Sequence, residues 1–235
     1  MHTIQDIKDA ISRLAPGDRA AIAAWINDST PGGLRVEEPA VAYDLTPALS
    51  VDEYLALERD SPLRHEYVAG VLRAMTGCSQ SHNEISLNLA MELRNHLRGG
   101  PCRTFMAEIK VRLQVGQADF AYYPDVMVSC EPEMESRYFL RRPRLVIEVL
   151  SPSTRAVDLR EKLANYRHIA ALQEYAVVEQ DRADIRIYRR TEDWHPQQFS
   201  GLEAVAEFHS VGLSLPLGQV YEGVALDSSL PGAPR

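Results

Sequence analysis

Two apolar runs, each with one carboxylate planted in it, constrain this chain more than any other feature. The first is Tyr123-Pro124-Asp125-Val126-Met127-Val128 and the second is Leu145-Val146-Ile147-Glu148-Val149-Leu150-Ser151. Short runs this rich in valine and isoleucine read as strands rather than helices. Runs this apolar also point to central strands covered on both faces. A carboxylate placed there is costly unless a cation or another partner compensates it. The plain alternative is that each carboxylate takes the solvent-facing position of its strand. A helical pattern follows from Val157 to about Ala170, with Leu159, Leu163 and Tyr166 on one side, and it sets Lys162 at the border of the buried face.

The surrounding chain gives these runs a domain. Residues 3–27 read as a helical hairpin, with Ile4, Ile7, Ile11 and Leu14 at helical spacing and Pro16-Gly17 as the break. Ser29-Thr30-Pro31-Gly32-Gly33 and two further prolines make residues 28–47 a linker. The expected organisation is therefore a hairpin and linker over 1–45, a main domain over 46–226 and a loose tail over 227–235. Ser50 and Glu53 form a capping box that starts a helix through about Glu58. His65 to Val68 and Val71 to Met75 flank Ala69-Gly70 as a hairpin, and His82 to Leu97 is helical until Gly99-Gly100-Pro101. Alternation from Arg103 to Val115 predicts one long strand, with Glu108 and Lys110 on its polar face. A second hairpin joins Tyr175–Glu179 to Ile185–Tyr188, and Phe208 to Tyr221 adds a short edge. The order of elements predicts an α/β or α+β domain on a mixed sheet.

Composition narrows the setting. A chain of 235 residues with 45% apolar and 25% charged residues suits a globular fold, and no apolar run approaches the ~20 residues of a membrane span. The first residues have neither the basic nor the apolar region of a secretion signal. Three well-separated cysteines, Cys78, Cys102 and Cys130, argue against a disulfide framework or a structural zinc site and suit a reducing cytoplasm. The net charge of −8 counts against a sequence-blind nucleic-acid binder, which replaces phosphate counterions with basic surface. Local clusters, such as Arg141-Arg142-Pro143-Arg144, Arg155 with Arg160 and Arg186 with Arg189-Arg190, are either a track for phosphates or solvated surface.

Two strand-borne carboxylates and a lysine are the parts a metal-dependent phosphodiesterase needs. Divalent metal stabilises the charge that grows on the phosphorus centre and the leaving oxygen, and it acidifies a bound water. Magnesium takes oxygen ligands and keeps several waters, so one or two carboxylates suffice. Neighbouring strands lie about 5 Å apart, close enough for Asp125 and Glu148 to share one ion. A lysine at the same edge orients the attacking water or offsets charge in the transition state. Other polar residues have two readings each. Glu66 is an outer ligand or a hairpin surface residue. His82 contacts phosphate or caps its helix, and Ser151 contacts phosphate or caps the helix after it. Asp158 pairs with Lys162 at i,i+4, for positioning or as an ordinary helix salt bridge.

The sequence resembles the Uma-type family of restriction endonucleases, within the PD-(D/E)XK nuclease superfamily. The matching pieces run from about Leu49 to Tyr221. They include Val51-Asp52-Glu53-Tyr54-Leu55, Glu66-Tyr67-Val68-Ala69-Gly70, His82-Asn83, Tyr123-Pro124-Asp125-Val126, Ile147-Glu148-Val149-Leu150-Ser151-Pro152-Ser153-Thr154, Asp158, Lys162, Tyr166 and Gln173-Glu174-Tyr175. The resemblance implies a restriction-endonuclease-like mixed sheet core flanked by helices. It implies DNA as partner, Mg²⁺ as cofactor with Mn²⁺ as substitute, and Asp125 and Glu148 as metal ligands. The superfamily's lysine stands two residues after the glutamate, where this chain has Leu150; Lys162 on the following helix is the matching position. Two further expectations compete with or extend this one: a catalytically silent nuclease-fold protein acting as a binding or regulatory module, and an N-terminal hairpin that recruits a protein partner or drives a homodimer.

Overall fold

The computed structural model describes residues 49–75, 77–132 and 136–226. The chain divides into two units, Met1–Thr46 and Pro47–Arg235, and the described residues belong to the second. The expected N-terminal hairpin and the tail from 227 lie outside the described residues.

Helix α1 (Val51–Asp60) opens with the capping box: Ser50 Oγ accepts from Glu53 N while the Glu53 carboxylate accepts from Ser50 N. Strands β1 (His65–Val68) and β2 (Val71–Ala74) pair antiparallel around Ala69-Gly70. Both turn residues have positive φ, at 49° and 98°, as the tight turn matching strand twist requires. Helix α2 (Gln80–His96) is capped by Ser79 and buries Ile85, Leu89 and Leu93 along one face.

The alternating stretch from Arg103 to Val115 is two strands, not one. Strand β3 (Arg103–Met106) and strand β4 (Lys110–Val115) belong to different sheets. The break falls at Ala107, whose φ of 25° takes the backbone out of the extended region, and Ala107 N donates to Asp125 O. Alternation continued through the turn because each half obeys period two separately. Glu108 therefore lies in the turn, bonded to Arg64, while Lys110 is buried at the start of β4.

Strand β5 (Ala118–Tyr122) follows β4 in a hairpin, and β6 (Val126–Ser129), β7 (Phe139–Leu140) and β8 (Leu145–Leu150) come next. The crossover after β8 is a π-helical turn (Val157–Lys162) running into α3 (Leu163–Tyr166), and it leads to β9 (Glu174–Glu179), parallel to β8. Strands β10 (Asp184–Arg189) and β11 (Pro196–Ser200) extend that sheet, and β12 (Val205–Phe208), β13 (Leu213–Pro216) and α4 (Leu217–Val220) complete the described chain. Three sheets result among the described residues: a five-stranded one of order β2-β1-β5-β4-β7, a six-stranded one of order β11-β10-β9-β8-β6-β3, and a two-stranded one of β12 and β13. The fold is a mixed α/β one, as expected.

Every residue of β8 is buried, which is why its sequence does not alternate. Ile147 and Val149 pack with Ile85, Leu89 and Leu93 of α2 on one side. Val146 and Leu150 pack on the other with Tyr166, Tyr175 and Val111. Glu148 shares this second side, between Val146 and Leu150.

One cysteine expectation is overturned. Cys102 and Cys130 form a disulfide with Cα atoms 3.9 Å apart, and Cys78 is free and exposed. Arg103 pairs with Ser129 across β3 and β6, so the next pair outward is Cys102 with Cys130. A separation of 28 residues hid the contact that antiparallel pairing creates. The cysteines thus lend no support to a reducing compartment. Among the described residues no helix is long and apolar enough to cross a membrane.

A buried ion pair fastens the far side of the sheet. Arg189 Nε donates to Glu174 Oε1 at 2.8 Å, with both side chains almost fully buried. Glu174 also accepts from His209 N, Ser210 N and Ser210 Oγ, while Arg189 donates to Gln197 and to Glu207 O. The pair joins β9 and β10 to the β12 segment. Arg189→Met would leave the Glu174 charge without its cation, and we expect a loss of about 3–5 kcal/mol. Denaturant unfolding of the variant checks this; a loss under about 1 kcal/mol would contradict it.

Candidate functional site

Asp125 and Glu148 arrive at one place through strand register. Val126 pairs with Ile147 across β6 and β8, and Asp125, in the bend just before β6, is the next residue along, on the side where the chain continues to Glu148 and Val149. Asp125 is fixed there, since its Oδ2 accepts from Val149 N at 2.7 Å. It is the more open of the two carboxylates, with its side chain 18% exposed against 3% for Glu148.

Lys162 comes to Glu148 from the π-helical turn. Its Nζ lies 3.2 Å from Glu148 Oε1, 2.9 Å from Glu66 Oε1 and 3.1 Å from Asp158 Oδ1. It also lies 5.6 Å from the centre of the Tyr122 ring. The Tyr166 hydroxyl donates to Glu148 Oε1 at 3.0 Å, four residues after Lys162. Tyr175 donates to Asp158 O, which holds the turn against β9. Single π turns inside helices recur at functional sites, where they re-aim side chains. A salt link closes the rim: Arg73 of β2 grips both oxygens of Glu161, and Glu161 accepts from Tyr122.

Charge bookkeeping defines the site. Glu66, Asp125, Glu148 and Asp158 gather around one lysine and one histidine. Burial alone would lower the Lys162 pKa, but Glu148, Glu66 and Asp158 outweigh it and hold the pKa well above the usual lysine value. At ~3 Å and an effective dielectric of ~20, each such contact is worth about 5 kcal/mol before desolvation. Glu148 stands the other way. Burial pushes its pKa well above the usual carboxylate range, and the charges of Asp158, Asp125 and Glu66 add to that push against the pull of Lys162. The cluster therefore has more carboxylate than its own cations neutralise.

His82 lies on the first turn of α2, with Nε2 3.3 Å from Asp125 Oδ2. Burial would lower its pKa, yet the hydrogen bond and charge of Asp125 leave it raised. Its Nδ1 is buried and has no hydrogen-bond partner among the described residues. Ser151 stays apart from the lysine: its Oγ contacts Ser153 and Thr154 and accepts from Thr154 N, which is the capping geometry. The structure thus brings Asp125, Glu148, Lys162 and Glu66 into one cluster, sets His82 at its edge and leaves Ser151 at the strand end. Asp158 and Tyr166 belong to the cluster as well. Their spacing of four residues on either side of Lys162 was the sequence signal for them.

The donor chemistry suits a hard divalent cation. Among the described residues no three of His, Cys, Asp and Glu already stand as a ready metal cage. Magnesium does not need one, because it keeps most of its waters and binds through one or two carboxylates. Asp125 and Glu148 are oxygen donors on adjoining segments, next to surplus negative charge and the partly open edge of the sheet.

Comparison with known proteins follows the same boundaries. Residues 51–218 match the profile of the Uma2 family, described as "Putative restriction endonuclease". An uncharacterized protein of Synechocystis sp. is 36% identical over 182 residues, covering 76% of this chain and 94% of that protein. A second from the same organism is 30% identical over 168 residues, covering 69% and 94%. The crystal structure of "a putative nuclease belonging to DUF820" from Anabaena variabilis superposes with a TM-score of 0.61 at 21% identity, covering 74% of this chain and 98% of that one. At that identity the likeness speaks for the fold.

Removing the ammonium should expose the carboxylate surplus. Lys162→Met is expected to cost about 3–5 kcal/mol of stability at pH 8. The loss should shrink toward pH 5, because Glu148, whose pKa is raised in the folded state, binds a proton preferentially there, so acid favours folding. Thermal unfolding across pH 5–8 measures it; a loss that does not vary with pH would contradict the charge balance.

Proposed function

The chain belongs to the Uma2 family, and from that premise we propose that it is a metal-dependent endonuclease that hydrolyses DNA phosphodiester bonds. The observation that carries this reading is the convergence on the Glu148 strand of Asp125, held by Val149 N, and of a helix-borne Lys162. A strand lysine replaced by leucine is the mark of a lost active site only if nothing takes its place. Here an ammonium 3.2 Å from the glutamate supports retained chemistry over a silent fold.

Asp125 and Glu148 would hold Mg²⁺, or Mn²⁺ in its place. When bound, the ion supplies an acidified water and charge stabilisation at the phosphate. The chain's own residues do the rest. Lys162 offers its ammonium beside Glu148 to orient the attacking water and to offset charge developing on the phosphate. Glu66 and Asp158 keep that ammonium protonated and fixed between them, and so position it. Tyr166 holds the Glu148 carboxylate in one orientation through Oε1. His82, with Nε2 on Asp125, would steady that carboxylate, and a contact with a phosphate oxygen would require its buried Nδ1 to open to the substrate. The acidic net charge leaves DNA contacts to local arginines. We propose a cytoplasmic setting, where genomic DNA is at hand, and a homodimer would present two such sites to a duplex. The N-terminal segment of residues 1–45 is then a candidate for the dimer contact or a protein partner.

Cleavage assays on supercoiled plasmid with Mg²⁺ or Mn²⁺ test the reading. Asp125→Asn and Glu148→Gln should each lower the rate at least ~100-fold, and Lys162→Met by a comparable factor, while chelation abolishes cleavage. Wild-type rates in the Glu148→Gln variant would overturn the assignment.

A further inference from the structure

The five-stranded sheet has a second polar cleft that the nuclease reading leaves unused. Tyr122 turns its ring to Lys162, so the next residue, Tyr123, points the other way. Tyr123 and Lys110 lie opposite one another, one step beyond the Val111–Tyr122 pair of β4 and β5. They form the floor of a cleft of about 240 Å³ whose walls include Leu55, Arg59, Arg64, Tyr138 and Phe139, with Glu58 and Glu108.

Lys110 is only 7% exposed, and its ammonium carries three donors. One goes to Tyr123 Oη at 3.1 Å, and the amine also sits 4.9 Å from the Tyr123 ring centre. Among the described residues no carboxylate is within ion-pair distance of it. The nearest acid along the chain of bonds is Glu58, already taken: Tyr123 Oη donates to its Oε1 at 2.8 Å, and His65 engages both oxygens through N and Nδ1. A buried cation is thus left with donors to spend at the wall of a cavity. Burial lowers its pKa, the condition an arriving anion relieves. Arg59 and Arg64 stand at the same cleft, and Arg64 is balanced by Glu108. The walls thus carry three cationic side chains and two carboxylates. Tyr138 is 56% exposed; Arg59 lies over one face of its ring, and the exposed remainder of the ring is available for stacking beside the cations. The cleft is smaller than the ~300–1,000 Å³ of drug-sized ligand pockets, so its occupant is small.

We propose that this cleft binds a single nucleotide through its 5′-phosphate, with the phosphate on Lys110 and Arg59 and the base against Tyr138. Phosphate suits the unspent Lys110 donors and the arginine fork, and every base has a face that stacks on tyrosine. Two sources share this chemistry: a free nucleoside monophosphate, and the 5′-phosphorylated end of a DNA strand. The site stands on its own and holds whether or not Asp125 and Glu148 cleave DNA.

Calorimetry on the full chain in the presence of chelator tests it, with dAMP, a 5′-phosphorylated tetranucleotide and the same tetranucleotide with a 5′-hydroxyl. At least one phosphorylated probe should bind, at least tenfold more weakly to Lys110→Met and several-fold more weakly to Tyr138→Ala, with Asp125→Asn unchanged. Tyr138 is exposed, so its variant keeps the test alive if Lys110→Met does not fold. Binding of dAMP alone assigns a free nucleotide; binding of the phosphorylated tetranucleotide with loss on removing its phosphate assigns a strand end. No binding of either phosphorylated probe, or binding that both cleft variants retain, or binding lost in Asp125→Asn, would overturn the proposal.

Discussion

The Lys162 ammonium, surrounded within about 3 Å by oxygens of Glu66, Glu148 and Asp158, is the contact on which the site depends. Each of these groups is buried, and a buried charge without a partner costs several kcal/mol. Remove the lysine and three carboxylates repel one another in a place water does not reach. Remove the carboxylates and the lysine is driven neutral. The four groups come from three separate segments, β1, β8 and the π-helical turn, so their mutual need for charge also ties those segments together. Excess carboxylate remains after the pairing, because Asp125 adds a further negative group at the open edge. That remainder is where a divalent cation has something to neutralise.

The fold delivers these groups through simple geometry. Register across β6 and β8 sets Asp125, just before β6, beside the Glu148–Val149 segment, and the parallel crossover from β8 to β9 passes directly over Glu148. The hairpin of β1 and β2 leans in from the other sheet with Glu66 and Arg73. Glu66 meets the lysine, and Arg73 meets Glu161 one residue before it. Tyrosines 122, 166 and 175 pack edge-on or tilted in series, with ring centres 5.4–5.5 Å apart, and their hydroxyls reach Glu161, Glu148 and the backbone of Asp158. They supply both apolar packing and the last hydrogen bonds the acids need.

Much of this could be read from the residues. The unalternating runs announced covered strands, although Asp125 itself falls in the bend just before β6, and the helical pattern after Val157 announced an element able to lend Lys162, although its first six residues form a π turn and not the expected α-helix. Ser50 with Glu53 and Ala69 with Gly70 fixed a helix start and a turn by local chemistry alone. What stayed hidden depends on distance in the fold. The turn at Ala107 was masked because alternation resumes in phase beyond it. The Cys102–Cys130 bond needs the β3–β6 register, which no local pattern reveals. The structural weight of Glu174 was invisible for the same reason: its partners Arg189, His209 and Ser210 lie up to 36 residues away. Lys110 read as a polar-face residue because its strand was extended through a turn that ends it.

The central claim is that Asp125 and Glu148 complete their charge balance with a divalent cation. The most direct measurement is Mn²⁺ binding followed by electron paramagnetic resonance on the full chain, beside the Asp125→Asn and Glu148→Gln variants. The account predicts that the wild-type chain binds Mn²⁺ and that each variant binds at least tenfold more weakly, with Mg²⁺ competing for the same place. Equal binding by all three chains, or none by the wild type at millimolar ion, would contradict it.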